Sequence, residues 1–165
     1  MYNLSGPIPS SIGKLTNLTG IVIVVTNISG PIPQFLGKLK NLVRLELASN
    51  KHTGPIPDFI GQFKRLTSLN LGDNRLTGRI PRSLTQLRNL SSLRLSLNGL
   101  SGPVPEFSPQ KMLKLNSLEL NFNRLSGSIP TSLGRLPSLT TLYLDHNKFT
   151  GDAKYLFNKN NKILK

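Results

Sequence analysis

The chain has 165 residues, and 21 lysines and arginines against 7 aspartates and glutamates give it a formal net charge of +14 at pH 7. It contains no cysteine, which excludes disulfide bonds and thiolate metal sites within the chain. No segment is long and apolar enough to predict a membrane span. A balance this basic is typical of proteins with an anionic partner, such as nucleic acid, a membrane surface or an acidic polysaccharide.

A glycine recurs along the whole chain at a nearly constant interval. Successive members of the series are 24 residues apart, except for one step of 25. The series is Gly6, Gly30, Gly54, Gly78, Gly102, Gly127 and Gly151. Most of them are followed by Pro-Ile-Pro or a close variant. A fixed period of this length predicts a solenoid, in which each coil buries its apolar side chains only against the coils beside it.

Each interval contains the same apolar spacing, L-x-x-L-x-L-x-x-N-x-L-x-G. The alternating apolar positions predict one short strand per coil, with one buried face. In chain order these segments are 18–23, 42–47, 66–71, 90–95, 115–120 and 139–144. The glycine and prolines that follow block a continuous helix, and the rest of each coil is long enough only for a turn of 3₁₀ or α-helix. The sequence therefore predicts an α/β fold, a right-handed leucine-rich-repeat solenoid with a parallel β-sheet on its concave face and short 3₁₀ or helical turns on its convex face.

One asparagine follows the predicted strand in five of the six coils. These residues, called the ladder asparagines below, are Asn50, Asn74, Asn98, Asn123 and Asn147. In the first coil Thr26 takes this place. We expect each amide to turn inward and to pair with backbone groups that the bend leaves unpaired. We also expect His52 to be packed in the core, because other coils have leucine or phenylalanine at its position.

We expect residues 1–165 to form a single array of about six full repeats with partial repeats at both ends. The chain opens on the last part of a repeat, without a signal peptide, and neither end carries a cap. Repeat arrays normally end in polar caps that cover the leucine-lined cross-section. The expectation is therefore that the chain is the middle of a longer array.

The Gly-x-Ile-Pro segment resembles the plant extracellular type of leucine-rich repeat, and two departures from the plain repeat are more specific. One is Thr26 in place of a ladder asparagine, and the other is Gly151-Asp152-Ala153 in place of the Ile-Pro turn. Both resemble the polygalacturonase-inhibiting proteins of plant cell walls. The resemblance implies a secreted protein of the cell wall or apoplast, without catalysis or cofactor, that binds fungal endopolygalacturonases and blocks their pectin-degrading cleft.

In that family, the enzyme is bound by solvent-facing residues of the concave sheet. The corresponding residues here are Val22, Val24, Arg44, Glu46, Asn70, Asp73, Arg94, Leu97, Glu119, Asn121, Phe122, Tyr143, Asp145 and His146. The four acids and two bases among them give a net charge of −2, so the basicity of the chain lies elsewhere. Apolar residues on a solvent-facing strand often mark a protein partner. The alternative is an ordinary scatter of apolar surface residues.

A base directly follows the ladder asparagine in four coils. These bases, called the cation stripe below, are Lys51, Arg75, Arg124 and Lys148, and Gly99 interrupts them. We expect neighbouring members to lie about one strand spacing apart, roughly 4.7–4.9 Å. Such a row suits a linear polyanion, and demethylated pectin is one. The alternative is a solvated row that keeps the solenoid soluble. Nucleic acid fits less well, because no aromatic residues alternate with the bases for stacking.

No group of residues predicts catalysis or metal binding. Asp145 and His146 form an adjacent pair without a nucleophile or a third metal ligand. The carboxylates of Glu46 and Glu119 are three coils apart. We therefore expect no enzyme, no metal site and no cofactor.

Two other functions stay open. Some proteins of the same lineage bind ice through a flat array of hydroxyl and amide groups, and a hydroxyl row is predicted at Ser68, Ser92, Ser117 and Thr141. The larger residues Arg94, Glu119 and Tyr143 stand beside that row and would interrupt a flat match. The other possibility is an ectodomain fragment of a plant receptor-like kinase, against which Gly151-Asp152-Ala153 is the best evidence.

Sequons for N-glycosylation occur at Asn3, Asn17, Asn27 and Asn89. Asparagine, serine and threonine are frequent enough in this chain for several sequons to arise by chance. The sequons therefore permit a glycosylated secreted protein without demonstrating one.

Overall fold

The computed structural model describes residues 4–157, so the sequon at Asn3 lies outside the described residues. Within this range the chain forms thirteen short strands and six 3₁₀ helices. The strands are β1 (Ser5–Gly6), β2 (Gly20–Val22), β3 (Asn27–Pro31), β4 (Arg44–Glu46), β5 (Lys51–Pro55), β6 (Ser68–Asn70), β7 (Arg75–Gly78), β8 (Ser92–Arg94), β9 (Gly99–Gly102), β10 (Ser117–Glu119), β11 (Arg124–Ser128), β12 (Thr141–Tyr143) and β13 (Lys148–Thr150). The 3₁₀ helices are Ser10–Lys14, Gln34–Lys38, Asp58–Gln62, Arg82–Gln86, Thr131–Arg135 and Lys154–Phe157.

The strands form two parallel sheets that run along the solenoid. The inner sheet, ordered β2-β4-β6-β8-β10-β12, contains the six strands predicted from the leucine spacing. This confirms the predicted leucine-rich-repeat fold. The second sheet, ordered β1-β3-β5-β7-β9-β11-β13, was not predicted. The glycine and prolines of these residues prevent a helix, and their extended backbone pairs from coil to coil as well.

The two sheets differ in register. In the inner sheet, equivalent residues of neighbouring coils lie opposite each other, as Ser68 does with Ser92. In the second sheet each strand is shifted by two residues, so that Arg75 lies opposite Thr53 and not opposite Lys51. A column of equivalent residues is therefore straight on the inner sheet and staggered on the second sheet.

One apolar core lies between the two sheets and the 3₁₀ helices. The leucines of the inner strands, such as Leu69 and Leu93, are fully buried. The leucines of the second sheet, such as Leu76 and Leu100, are fully buried from the other side. Because the same core covers both sheets, each coil is held by two strands and not by one.

The ladder asparagines join the two sheets, as predicted from the bend. The Nδ2 atom of Asn74 donates to the carbonyl of Leu47 in the inner sheet of the preceding coil at 2.9 Å. Its Oδ1 atom accepts from the backbone N–H of His52 in the second sheet at 2.9 Å. Thr26 lacks the amide N–H groups and instead donates its hydroxyl to Asn50 Oδ1 at 2.5 Å.

The corner before each ladder residue has a left-handed backbone. Among the described residues, six other than glycine have φ between 53° and 57°, and they are Val25, Ser49, Asp73, Leu97, Phe122 and His146. A non-glycine residue in this region is uncommon, above all a β-branched one such as Val25. The corner turns these side chains outward along the edge where the inner sheet ends.

The remaining departures from the repeat have local structural roles. The coil with the extra residue has no 3₁₀ helix in residues 103–116, and a turn closes it, with Met112 N–H donating to the carbonyl of Ser108 at 2.9 Å. At Asp152, Oδ1 accepts from the backbone N–H of Lys154 at 2.9 Å, and Oδ2 lies 2.7 Å from its Nζ. These hydrogen bonds lower the pKa of Asp152 and start the last 3₁₀ helix.

Candidate functional site

The outward face of the inner sheet, with the corner beside it, carries the predicted partner-binding residues. Its first coil exposes Val22 and Val24, and the corner exposes Leu97 and Phe122 farther along the solenoid. The exposed fractions are 50% for Val22, 50% for Leu97 and 42% for Phe122. The face therefore has two apolar patches, called the valine patch and the leucine–phenylalanine patch below, with polar residues between them.

Two ion pairs neutralise most of the charge between the patches. Arg44 Nε lies 2.5 Å from Glu46 Oε1 on the same strand, and this hydrogen bond raises the pKa of Arg44. Arg94 Nε lies 2.9 Å from Glu119 Oε1 on the neighbouring strand. Both arginines stay half-exposed, with side-chain exposures of 56% and 49%, so each pair is a weak surface contact. Paired in this way, the four side chains form a polar strip without a strong net charge.

An aromatic stack continues the leucine–phenylalanine patch. The rings of Phe122 and His146 lie parallel, with centroids 4.0 Å apart and planes 15° apart. Asp145 Oδ2 lies 2.7 Å from His146 Nδ1 and holds the imidazole in place. The sequence identified these three residues as candidates but could not pair the rings, because they come from different coils and meet through the left-handed corner.

The polar residues of this face fall into a straight row. Ser68, Ser92, Ser117 and Thr141 pair in direct register across β6, β8, β10 and β12. Two of these hydroxyls already have carboxylate partners, since Ser68 Oγ lies 3.4 Å from Glu46 Oε1 and Ser117 Oγ lies 3.4 Å from Glu119 Oε1. Asn70 lies in the neighbouring column, where its Oδ1 accepts from the N–H of Gly72 at 3.1 Å.

Asn121 and Tyr143 lie half-buried in the same face. The Oδ1 atom of Asn121 is buried and has no hydrogen-bond partner among the described residues. Asp73 lies at the corner, exposed to solvent. Asp73 extends the polar strip between the two apolar patches, whereas Asn121 follows β10 and Tyr143 lies on β12, beyond the valine patch and the polar strip.

The cation stripe lies on the second sheet, at the start of β5, β7, β11 and β13. All four side chains are exposed. The expected spacing was wrong, because the register places Thr53 opposite Arg75 and Ser126 opposite Lys148. Successive members are offset by two residues along the strand, because the strands of the second sheet pair with that shift.

His52 is packed in the core, as predicted. It is 1% exposed, and Nδ1 lies 3.1 Å from the carbonyl of Gly30, to which it donates. Burial lowers the pKa of His52. Its Nε2 has no partner among the described residues. No group of three or more potential metal ligands occurs among residues 4–157, and His52 is a structural residue there.

The described sequons differ in accessibility. Asn17 is exposed, whereas Asn27 and Asn89 are half-buried. Asn89 is engaged on both sides of its amide, donating to the carbonyl of Lys64 at 2.9 Å and accepting from Lys114 Nζ at 2.8 Å. Of these three, Asn17 offers the freest amide to a glycan.

Comparison with known proteins identifies the family. Leucine-rich-repeat models match residues 104–149, and also 41–63 and 65–87. The structure of pollen receptor kinase 3 is 32% identical in sequence, with a TM-score of 0.80, and the match covers 93% of this chain and 74% of that one. This chain belongs to the leucine-rich-repeat family. Domains of this family are typically non-catalytic. No curated protein matches the chain by sequence.

Two further solved structures resemble this leucine-rich-repeat chain more closely in shape. A plant ice-binding protein is 32% identical with a TM-score of 0.90, and the match covers 97% of this chain and 51% of that one. The Arabidopsis receptor kinase HAESA, in complex with the peptide hormone IDA and the co-receptor SERK1, is 36% identical with a TM-score of 0.92. That match covers 98% of this chain and 27% of the receptor. The chain thus spans about half and about a quarter of these two proteins. No helix in residues 4–157 is long and apolar enough to cross a membrane.

Proposed function

We propose that the outward face of the inner sheet binds a folded protein, and that this protein is a secreted fungal endopolygalacturonase. The observation that carries the proposal is the exposure of large apolar side chains at two separate places on a solvent-facing sheet. Such side chains are anchors for protein partners, because covering them removes apolar surface from water. The choice of enzyme rests on the resemblance of Thr26 and Gly151-Asp152-Ala153 to the polygalacturonase-inhibiting proteins.

The distance between the two patches supports a partner of protein size. Val22 and Leu97 belong to strands three coils apart, which at one strand spacing per coil is about 14 Å. A partner that covers both patches must also cover the polar strip with its two ion pairs. Surfaces of this extent are typical of protein–protein interfaces, in which an apolar centre is bordered by polar contacts. We place the protein outside the plant cell, in the wall or apoplast, where such an enzyme acts.

Inhibition assays with a panel of fungal polygalacturonases test this function. We expect Phe122→Ala and Arg94→Ala each to weaken inhibition by about 1 kcal/mol or more, because both remove anchors from the bound face. Tyr143→Ala should do the same. Matched changes on the convex side, Lys38→Ala and Arg135→Ala, should leave inhibition intact. The proposal fails if no enzyme of the panel is bound, or if the convex changes abolish inhibition while the inner-face changes do not.

We also propose that the cation stripe binds demethylated pectin. The support is the exposure of all four bases on one sheet, where they are free to meet successive carboxylates of a linear chain. Because the members are staggered, the polymer would run obliquely across the second sheet. Its binding should be strongly salt-dependent, since surface ion pairs are screened within about 10 Å at 0.1 M ionic strength.

A receptor-type function is the second candidate. The observation that favours it is the similarity to a receptor kinase that is bound to a peptide hormone. An extended peptide rises about 3.3 Å per residue, so four to five residues would reach from the valine patch to Leu97. Calorimetry with short peptides that carry two apolar residues at that separation tests this candidate. Its failure, with enzyme inhibition present, leaves the first proposal in place.

Ice binding is the third candidate, and the similarity to a plant ice-binding protein favours it. The hydroxyl row from Ser68 to Thr141 is straight, as an ice-matching row must be. Against it, Glu46 and Glu119 engage two of the four hydroxyls, and Arg94 projects beside the row. A thermal-hysteresis measurement distinguishes this candidate, and we expect no hysteresis.

A further inference from the structure

The second sheet carries an open site that the inner-face function does not use. Strands β7, β9 and β11 lie side by side in it. Ser101 of β9 lies opposite Arg124 of β11. On the other side, Gly78 pairs with Leu100, so the next residue, Arg79, is in register with Ser101. Ser101 therefore has an arginine beside it on each side.

The three side chains face solvent. The buried leucines of these strands alternate with them, so that Ser101 and Arg124 lie on the outward side. Arg79 and Arg124 are exposed, and Ser101 is half-buried between them. The backbones of β7 and β11 are two strand spacings apart, roughly 9–10 Å. Two long arginine side chains can span this gap from either side.

Arg79 is a departure from the repeat. Neighbouring coils have proline at this position, as at Pro55 and Pro103, where the ring fixes the turn. The Arg79 side chain instead lies across the next coil. A β-carbon built on Gly102 would be 3.2 Å from Arg79 Cγ and 3.3 Å from Arg79 Nε. Gly102 thus gives the arginine room to reach over β9 toward β11.

A second departure occurs beside the first. Gly99 replaces the base of the cation stripe in this coil, two residues before Ser101 on the same strand. Without side chains at Gly99 and Gly102, the surface around the Ser101 hydroxyl is open and is bounded by the two arginines. Places where a sequence breaks its own local rule are where functional sites are expected.

In the described part of the chain, no carboxylate forms an ion pair with either of these two arginines. The arginines of the inner sheet, Arg44 and Arg94, each have a glutamate partner. Within residues 4–157, neither Arg79 nor Arg124 takes part in an ion pair. Two like charges held at one place without a counter-charge favour binding of an anion.

We propose that Arg79, Ser101 and Arg124 bind a doubly charged tetrahedral oxyanion, either the phosphate monoester group of a ligand or the free sulfate ion. The planar guanidinium group presents paired N–H donors that match such oxygens, and the serine hydroxyl supplies a further donor at the base of the site. A group with a single negative charge would balance only one of the arginines. The site lies on a different sheet from the enzyme-binding face, so it does not depend on the function proposed for that face.

Isothermal titration calorimetry and amide NMR on the full chain test the site, with inorganic sulfate and glycerol phosphate as probes and acetate as the singly charged control, at constant low ionic strength. We expect saturable binding of both probes, with shifts centred on the amides of Ser101 and Gly102. Arg79→Gln and Arg124→Gln should each weaken binding about ten-fold or more, the effect of losing a charged hydrogen bond. Arg79→Lys should also weaken it, because the charge remains but the paired donors are lost.

The control is Arg88→Gln, which removes the same charge from the convex side, outside both the site and the cation stripe, and should leave the affinity unchanged. The two possible anions, a phosphate monoester and the free sulfate ion, are distinguished by pH. A phosphate monoester gains its second charge near pH 6, so its affinity should rise from pH 5 to pH 7, while that of sulfate stays constant. The proposal is overturned if neither probe saturates, if acetate binds equally well, or if Arg88→Gln weakens binding as much as Arg79→Gln.

Discussion

The inner sheet and the second sheet are built by the same repeat, yet they expose different chemistry. On the inner sheet, equivalent residues stand side by side, and Arg94 reaches Glu119 across one strand spacing. On the second sheet, the shift of two residues places bases such as Arg75 beside hydroxyls such as Thr53. Both sheets follow the same sequence period, but equivalent residues of the repeat are neighbours only in the inner sheet. The register decides whether a column of like residues acts as a row or is dispersed among other groups.

The largest expected effect tests whether the two sheets share one core. Leu93→Ala in the inner sheet and Leu100→Ala in the second sheet should each lower the free energy of unfolding by about 2–5 kcal/mol, because both side chains are fully buried. Urea denaturation measures both. The exposed Leu97→Ala is the control and should change stability by less than about 0.5 kcal/mol. A small loss for Leu100→Ala with a large loss for Leu93→Ala would mean that the second sheet contributes little to the fold.

The next effect concerns the link between the sheets. Asn74→Ala removes the bonds to the carbonyl of Leu47 and to the N–H of His52, leaving groups in both sheets unpaired. We expect a loss of about 1–3 kcal/mol or more, the cost of unsatisfied buried polar groups. Thr26→Ala is the comparison, and its loss should be smaller, because the hydroxyl donates to Asn50 Oδ1 and accepts only a long bond of 3.5 Å from the N–H of Ile28. Equal losses in denaturation experiments would contradict the linking role.

The leucine and asparagine spacing was sufficient to predict the fold, but not the second sheet. Alternation at Leu69 and Leu71 predicts a strand because one face is visibly apolar. The residues of β7, Arg75–Gly78, have one leucine and a glycine, and their strand exists because the neighbouring coil offers backbone partners. Backbone pairing between coils cannot be inferred from the residue types of the strand. The stack of Phe122 on His146 depends on the corner geometry, and the placement of Arg79 and Arg124 on either side of Ser101 depends on the register. Neither can be read from the spacing of residues along the sequence.

The third effect is the pH dependence of protein stability that His52, a residue of the second sheet, should cause. The folded-state pKa of His52 is lowered by burial, so the unfolded chain binds its proton more readily than the folded chain. Stability should therefore be highest above the pKa of unfolded histidine, about 6.5, and should fall as the pH decreases through that value toward the lower folded pKa. His52→Leu, which restores the residue found at Leu76, should remove this dependence and the unpartnered Nε2. Melting temperatures of both chains from pH 8 to pH 5 measure the difference, and parallel curves would contradict the assignment to His52.

The smallest effect tests the cation stripe, where each contact is worth only about 0–1 kcal/mol. Changing Lys51, Arg75, Arg124 and Lys148 together to glutamine should reduce retention on immobilised polygalacturonate at low salt. The matched control changes four convex bases, Lys14, Lys38, Lys64 and Arg88, and removes the same charge. If retention depends on the stripe, the first set should reduce the eluting salt concentration more than the second, and equal reductions would mean that only net charge matters. Gly99→Lys refines the test, because it adds a base at the gap in the stripe. The new β-carbon would lie 3.1 Å from the carbonyl oxygen of Leu76. The added base should therefore recover part of the retention in a weakened stripe, with a small loss of stability from that close approach.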